Sequence, residues 1–147
     1  MLSKVKFYTS YLLLFSFIPL LTGLLIYFLS GSKTIITDYI SECLGFQLKS
    51  ISTDSSILLF FRNYICDFLW AFAVESLVIL FLIEMNIKYP GIVSVIISLV
   101  FSIFIEVSPQ LGLFHGTFDK YDIIFEIFAI IFSLKISNGF LRRFRNE

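Results

Sequence analysis

Hydrophobic positions along the chain gather into four long runs with short polar stretches between them. The first, FYTSYLLLFSFIPLLTGLLIYFL at 7–29, has 23 residues and no charge. As a helix it would extend about 34 Å, enough to cross a hydrocarbon layer of about 30 Å. The second runs over 64–83 and the third, GIVSVIISLVFSIFIEV, over 91–107. The fourth, 121–137, opens YDIIFEIFAIIF and ends before Asn138 and Gly139. The last two are near the lower length for a span. This pattern predicts an all-α fold, a four-span transmembrane helical bundle forming a single integral membrane domain over residues 1–147. Both termini then fall on one side, and Pro19, in mid-run, predicts a kink.

The connection from residue 30 to 60 is long for a small bundle. In it Ile35, Ile36, Tyr39, Ile40 and Leu44 recur at helical spacing, with Asp38, Ser41 and Glu42 between them. That spacing predicts a short amphipathic surface helix in the first outer loop. STDSS, at 52–56, offers N-cap residues for a second short helix, ILLFF. Together they would form a lid over the outer end of the bundle.

Composition agrees with a bilayer setting. Hydrophobic residues are 58% and charged residues 15% of the chain, against about 45–50% and about 25% in soluble domains. Lys4 and Lys6 before the first run would also suit a signal peptide, but a secretory apolar core is only about 7–15 residues long. The first run is therefore expected to stay as a span. With the N-terminus cytoplasmic, that side holds Lys4, Lys6, Lys88, Lys135, Arg142, Arg143 and Arg145, and the outer side Lys33, Lys49, Arg62 and Lys120. The excess of cations predicts that both termini are cytoplasmic. LRRFRNE at the C-terminus reads as an anchor at anionic headgroups or as a docking tail.

Net charge is zero and no basic stripe or nucleic-acid motif is present, so no nucleic-acid partner is expected. There is no C-x-x-C, no Cys/His zinc spacing and only one histidine, His115, which reads as a loop residue. No metal and no cofactor are expected. Cys43 and Cys66 read as two interfacial thiols or as a pair. Trp70 suits an aromatic belt near the outer interface.

Polar residues collect at one end. EVSPQLGLFHGTFDKYD, at 106–122, joins the third and fourth runs. Glu106 and Gln110 share a helical face if the third helix continues that far, although Pro109 makes its last turn irregular. Asp119, Asp122 and Glu126 follow at spacings of three and four. Arg62, Asn63 and Asp67 mark the outer start of the second run, where a carboxylate suits a helix N-terminus. Asp119 could equally be a helix cap. Arg62 and Lys120 are the candidate counter-charges. The opposite loop, EMNIKYPG at 84–91, gathers nothing comparable. Two acids lie deeper: Glu126, about one turn inside the fourth run, and Glu75, near the middle of the second. A carboxyl group at that depth must be neutral or find a partner across helices. Lys135 can snorkel to the cytoplasmic interface.

NYICDFLWAFA at 63–73, Glu106 with Gln110, and GTFDKYDIIFEIFA at 116–129 resemble the VanZ-like membrane proteins. That family has a Glu-x-x-x-Gln after an apolar span, an acidic outer loop, and a last helix opening Asp-x-x-x-Asn-x-x-Gly. Glu106, Gln110 and Asp122 match motif positions. The Asn position is Glu126 and the Gly position Ala129. Lys120 is the cation nearest the place of the family's loop arginine, and Ala71 stands where a histidine often follows. The resemblance covers roughly residues 60–136. It implies a small multi-pass protein of the bacterial cytoplasmic membrane, linked to the cell envelope, in a family named for low-level teicoplanin resistance. It carries over no catalytic residue.

Three readings follow. In the first, a non-enzymatic envelope factor uses Asn63, Asp67, Glu106, Gln110, Asp119, Asp122 and Glu126 to bind a lipid headgroup, a lipid-linked cell-wall precursor or a membrane protein partner. An acid-rich site favours hydroxyl, amine or cation-bearing ligands over bare phosphate. In the second, an intramembrane enzyme uses Glu106 and Asp122 as an acid/base pair on a lipid-linked substrate. In the third, Glu75 and Glu126 serve a small proton-coupled transporter, although neither an inverted repeat nor a broken helix is evident. Four thin helices leave little room for an enclosed site, so a homo-oligomer is compatible with all three.

Overall fold

A computed structural model describes residues 2–29, 39, 42, 43, 45, 60–113 and 119–145. Those residues form helices and turns, with no strand among them. Helix α1 (Leu2–Leu12) and helix α2 (Ile18–Leu29) are joined by a wide π-helical turn, Leu13–Phe17. A second wide turn, Phe61–Ile65, leads into α3 (Cys66–Glu84). Helix α4 covers Pro90–Val107 and α5 covers Lys120–Arg145. Four segments are long and apolar enough to cross a membrane: Lys6–Ile26, Asn63–Glu84, Pro90–Val107 and Lys120–Leu141.

The boundaries have local causes. Pro90 occupies the first turn of α4, where its missing N–H costs nothing. Asn86, at φ 56°, turns the chain between α3 and α4, and its backbone N–H donates to the Ile83 carbonyl at 3.0 Å. Pro19 removes a backbone donor and its ring crowds the carbonyl four residues back, at Phe15. The wide turn Leu13–Phe17 lies at that point and absorbs the mismatch. The fourth helix passes through Asn138 and Gly139 and runs two turns beyond the expected end at 137. Nothing lies near a Cβ placed at Gly139, so no packing contact stops the helix there. The proposed surface helix over 35–44 falls almost wholly outside the described residues, as does most of ILLFF.

Helix α3 is the hub and packs against α2, α4 and α5. Spans consecutive in the chain run antiparallel, whereas α3 and α5 run parallel, with Asp67 near Asp122 at one level and Ser76 on Ser133 at the next. Cys66 Sγ donates to the Gly23 carbonyl at 3.6 Å, while at the other end Tyr8 donates to Glu84 Oε1. The Phe7 and Phe140 rings stack at 5.2 Å, so the first and last spans meet at the end that carries the chain termini. The opposite end, holding Asp67, Glu106 and Asp119, is called the acidic end below. Cys43 and Cys66 form no disulfide with each other. Cys66 is buried among the helices, whereas Cys43 is exposed.

The bundle is turned inside out compared with a soluble one. Ile92, Ile96, Val100 and Phe104 of α4 are exposed, whereas Ser94, Ser98 and Ser102 are buried. Among the described residues, as many polar or charged as hydrophobic side chains are buried. Small residues let the backbones approach, which suits helices associating in lipid, where apolar contact gives no net driving force. A smaller apolar nucleus of Ala71, Phe72, Ala129 and Ile130 lies between α3 and α5. Trp70 is exposed and packs on Phe101 at 6.2 Å between ring centroids. Ala129 has no exposed surface while Phe128 is 64% exposed. Ala129→Leu is therefore expected to destabilise the protein by about 1–3 kcal/mol through overpacking. Phe128→Leu should leave stability unchanged, both being read as thermal unfolding in detergent.

Candidate functional site

At the acidic end three helix termini bring carboxyl groups into mutual range. Asp67, in the first turn of α3, lies in the field of Asp119, Asp122, Glu106 and Glu126. Glu106 is the one acid on α4 and is half-buried. It faces Asp122 and receives the backbone N–H of Asp119. Asp119 ends the loop just before α5 and accepts the Tyr121 backbone N–H at 2.9 Å on Oδ1. That is an N-cap bond. The Tyr64 hydroxyl reaches its other oxygen at 3.5 Å. Asp122 is half-buried one turn further on.

Glu126 forms the floor. It is 1% exposed and lies about 9 Å along α5 from Lys120 by helical rise. Ser102 of α4 approaches it, yet its Oε2 atom is buried and has no hydrogen-bond partner. An unpaired buried carboxyl oxygen is costly. Lys120, the expected counter-charge, is exposed and lies 5.3 Å from the Tyr121 ring centroid instead. The Arg62 side chain and His115 lie outside the described residues. Five acids thus converge, and among the described residues no cation stands between them.

Two residues expected in the cluster sit at its margin. Helix α4 stops at Val107, and Ser108–Gly112 forms tight turns, with Gly112 at φ 69°. Gln110 consequently lies on a turn past the helix end and is exposed. Asn63 is also exposed, at the start of the second span.

Glu75 belongs to a separate feature. It is completely buried, midway along α3. Ser94 donates to its Oε1 at 2.7 Å and Ser98 to its Oε2 at 2.7 Å. The expectation of a partner across helices is met by hydroxyls rather than by a cation. Ser94, Ser98, Ser102 and Glu106 fall at i, i+4, i+8 and i+12, a ridge that winds by about 120° around α4 from end to end. The serines were legible in GIVSVIISLVFSIFIEV as a period-four stripe, but run length and mean hydropathy conceal it. Elsewhere Ser76 and Ser133 hydroxyls meet at 2.7 Å, and Tyr11 Oη lies 2.7 Å from Ser137 Oγ. The interior is thus laced by hydroxyls between α1, α3, α4 and α5.

Among the described residues three open grooves lie apart from the acids. Some run along Ile96, Val100 and Phe104 on the apolar side of α4, and one surrounds Gly91 and Asn138 at the opposite end. Among the described residues no group of acids, histidines or cysteines has the geometry of a metal site. The arrangement suits hydrogen-bond donors or positive charge presented from the acidic end.

No family model matches this chain, and no curated protein and no solved structure matches it. The class is defined by architecture alone, an all-helical chain with four helices suited to crossing a membrane.

The cap bond at Asp119 gives a local test. Asp119→Ala should lower stability by about 0.5–2 kcal/mol, whereas Asp119→Asn retains an acceptor and most of the stability. Denaturant unfolding in mixed micelles, followed by helical circular dichroism, separates the two.

Proposed function

We propose that this is a non-enzymatic, multi-pass protein of the bacterial cell envelope. Its acidic end faces outward and binds the amine- or hydroxyl-bearing head of a lipid or lipid-linked cell-wall precursor. The observation that carries the reading is the convergence of Asp67, Glu106, Asp119 and Asp122 above Glu126, whose Oε2 lacks a partner. Carboxyl oxygens are acceptors when ionised. An ammonium group entering between them would offset their mutual repulsion and satisfy the orphan oxygen. A bare phosphate would add negative charge to the same place. The excess of Lys and Arg at the other end supports the outward orientation. The likeness of Glu106, Gln110 and Asp122 to the VanZ-like motif supports an envelope role akin to glycopeptide resistance.

Native mass spectrometry of the purified protein in mild detergent tests this. Phosphatidylethanolamine and an amine-bearing lipid-linked precursor, offered separately, identify the source of the head. The protein should retain at least one of them, retain phosphatidylglycerol weakly, and lose the preference on Glu106→Gln or Asp122→Asn. Equal retention of all three lipids would refute the reading. In cells, expression should reduce teicoplanin susceptibility, and the same variants at matched membrane levels should lose the protection.

A further inference from the structure

The stripe on α4 connects two acids that no ligand at the acidic end would need to share. Glu126 and Ser102 stand at one level, Ser98 and Glu75 at the next, Ser94 and Glu75 below them. By helical rise the three serines cover about 12 Å of the span. All are nearly or completely inaccessible: Ser94 0%, Ser98 1%, Ser102 5%, Glu75 0% and Glu126 1% exposed. If packing were the whole purpose, alanine or glycine at these places would allow the same close approach without burying a carboxyl group.

The hydrogen bonding around Glu75 also suits two protonation states. Its two oxygens accept from Ser94 and Ser98 when it is ionised. The Ser94 hydroxyl has a second acceptor, the Gly91 carbonyl, at 3.0 Å. When Glu75 takes a proton, Ser94 can turn its hydrogen to Gly91, and no group is stranded. The other titratable group that bears on Glu75 is Tyr11 of α1, whose Oη is engaged with Ser137 Oγ and the Ser76 carbonyl. Lys135 of α5 is exposed. At the acidic side, the unpartnered Oε2 of Glu126 is a free acceptor at the head of the series.

We infer that Glu126, Ser102, Ser98, Glu75 and Ser94 form a proton path from the acidic end to the opposite end of the bundle. A proton arriving at the acidic end adds to Glu126 Oε2. Each hydroxyl along the path accepts one proton and releases its own, so no bond is made or broken on balance. Ser102 and Ser98 are one turn apart, about 6 Å along the axis by helical rise, and the transfer between them would run through two waters in series. Glu75 holds the proton midway. It leaves past Ser94 and Gly91 into the groove lined by Lys88, Gly91 and Asn138. The path shares Glu126 with the headgroup reading, but Glu75 and Ser98 lie outside the acidic cluster, so variants at those two test the path separately from headgroup binding.

The test is proton flux into proteoliposomes loaded with a pH-sensitive dye and driven by a valinomycin potassium potential. Wild type should acidify the lumen several-fold faster than protein-free vesicles. Glu75→Gln should return the rate to the protein-free value, and Ser98→Ala should reduce it. Glu84→Gln, outside the path, should match wild type. Wild-type flux at the protein-free rate would overturn the inference, as would undiminished flux in Glu75→Gln. If Glu75→Gln does not give monodisperse protein, Ser98→Ala decides, and wild-type flux in that variant overturns the inference equally.

Discussion

A carboxyl group halfway along a membrane-length helix has no water to turn to, so its neighbours must be built around it. Glu75 imposes that constraint here. Its two serine partners lie four residues apart on α4, which fixes both the face that α4 presents to α3 and the register between them. In lipid, apolar side chains have no preference for each other over acyl chains, so such bonds and the close approach of small residues specify the packing. The exposed isoleucines and phenylalanines of α4 are the other side of the same arrangement.

The same stripe leads from that clasp to the acidic end. Glu106 is the next position after Ser102 on the α4 ridge, and Glu126 meets the stripe from α5. The charge-bearing end is therefore continuous with the interior that holds the bundle together. An unpartnered oxygen on Glu126 marks the junction. Stability favours satisfied buried acceptors, so an orphan at this point is better explained by something it receives than by packing.

Much of this architecture was legible in the chain. Run length located all four membrane-length helices, and the acids between the third and fourth runs lie together at one end of the bundle. The inner structure was harder to read. Serine contributes little to hydropathy, so Ser94, Ser98 and Ser102 were hidden within an apolar run, and only their spacing distinguishes them. Gln110 was placed by assuming that α4 continues past Pro109; the chain turns at Ser108 instead. The fourth helix outran its expected end because Asn138 and Gly139 are tolerated inside a helix whose other turns are supported by packing. Pro19 suggested an irregularity in the first span, and a wide π-helical turn lies just before it.

The central claim is that the Glu75 clasp joins α3 to α4. A double-mutant cycle of Glu75→Gln and Ser98→Ala, measured by reversible unfolding in bicelles, tests it most directly. A coupling free energy of about 0.6–1.7 kcal/mol is expected, between the average and the largest values for hydrogen bonds between membrane helices. Strictly additive effects of the two substitutions would contradict it.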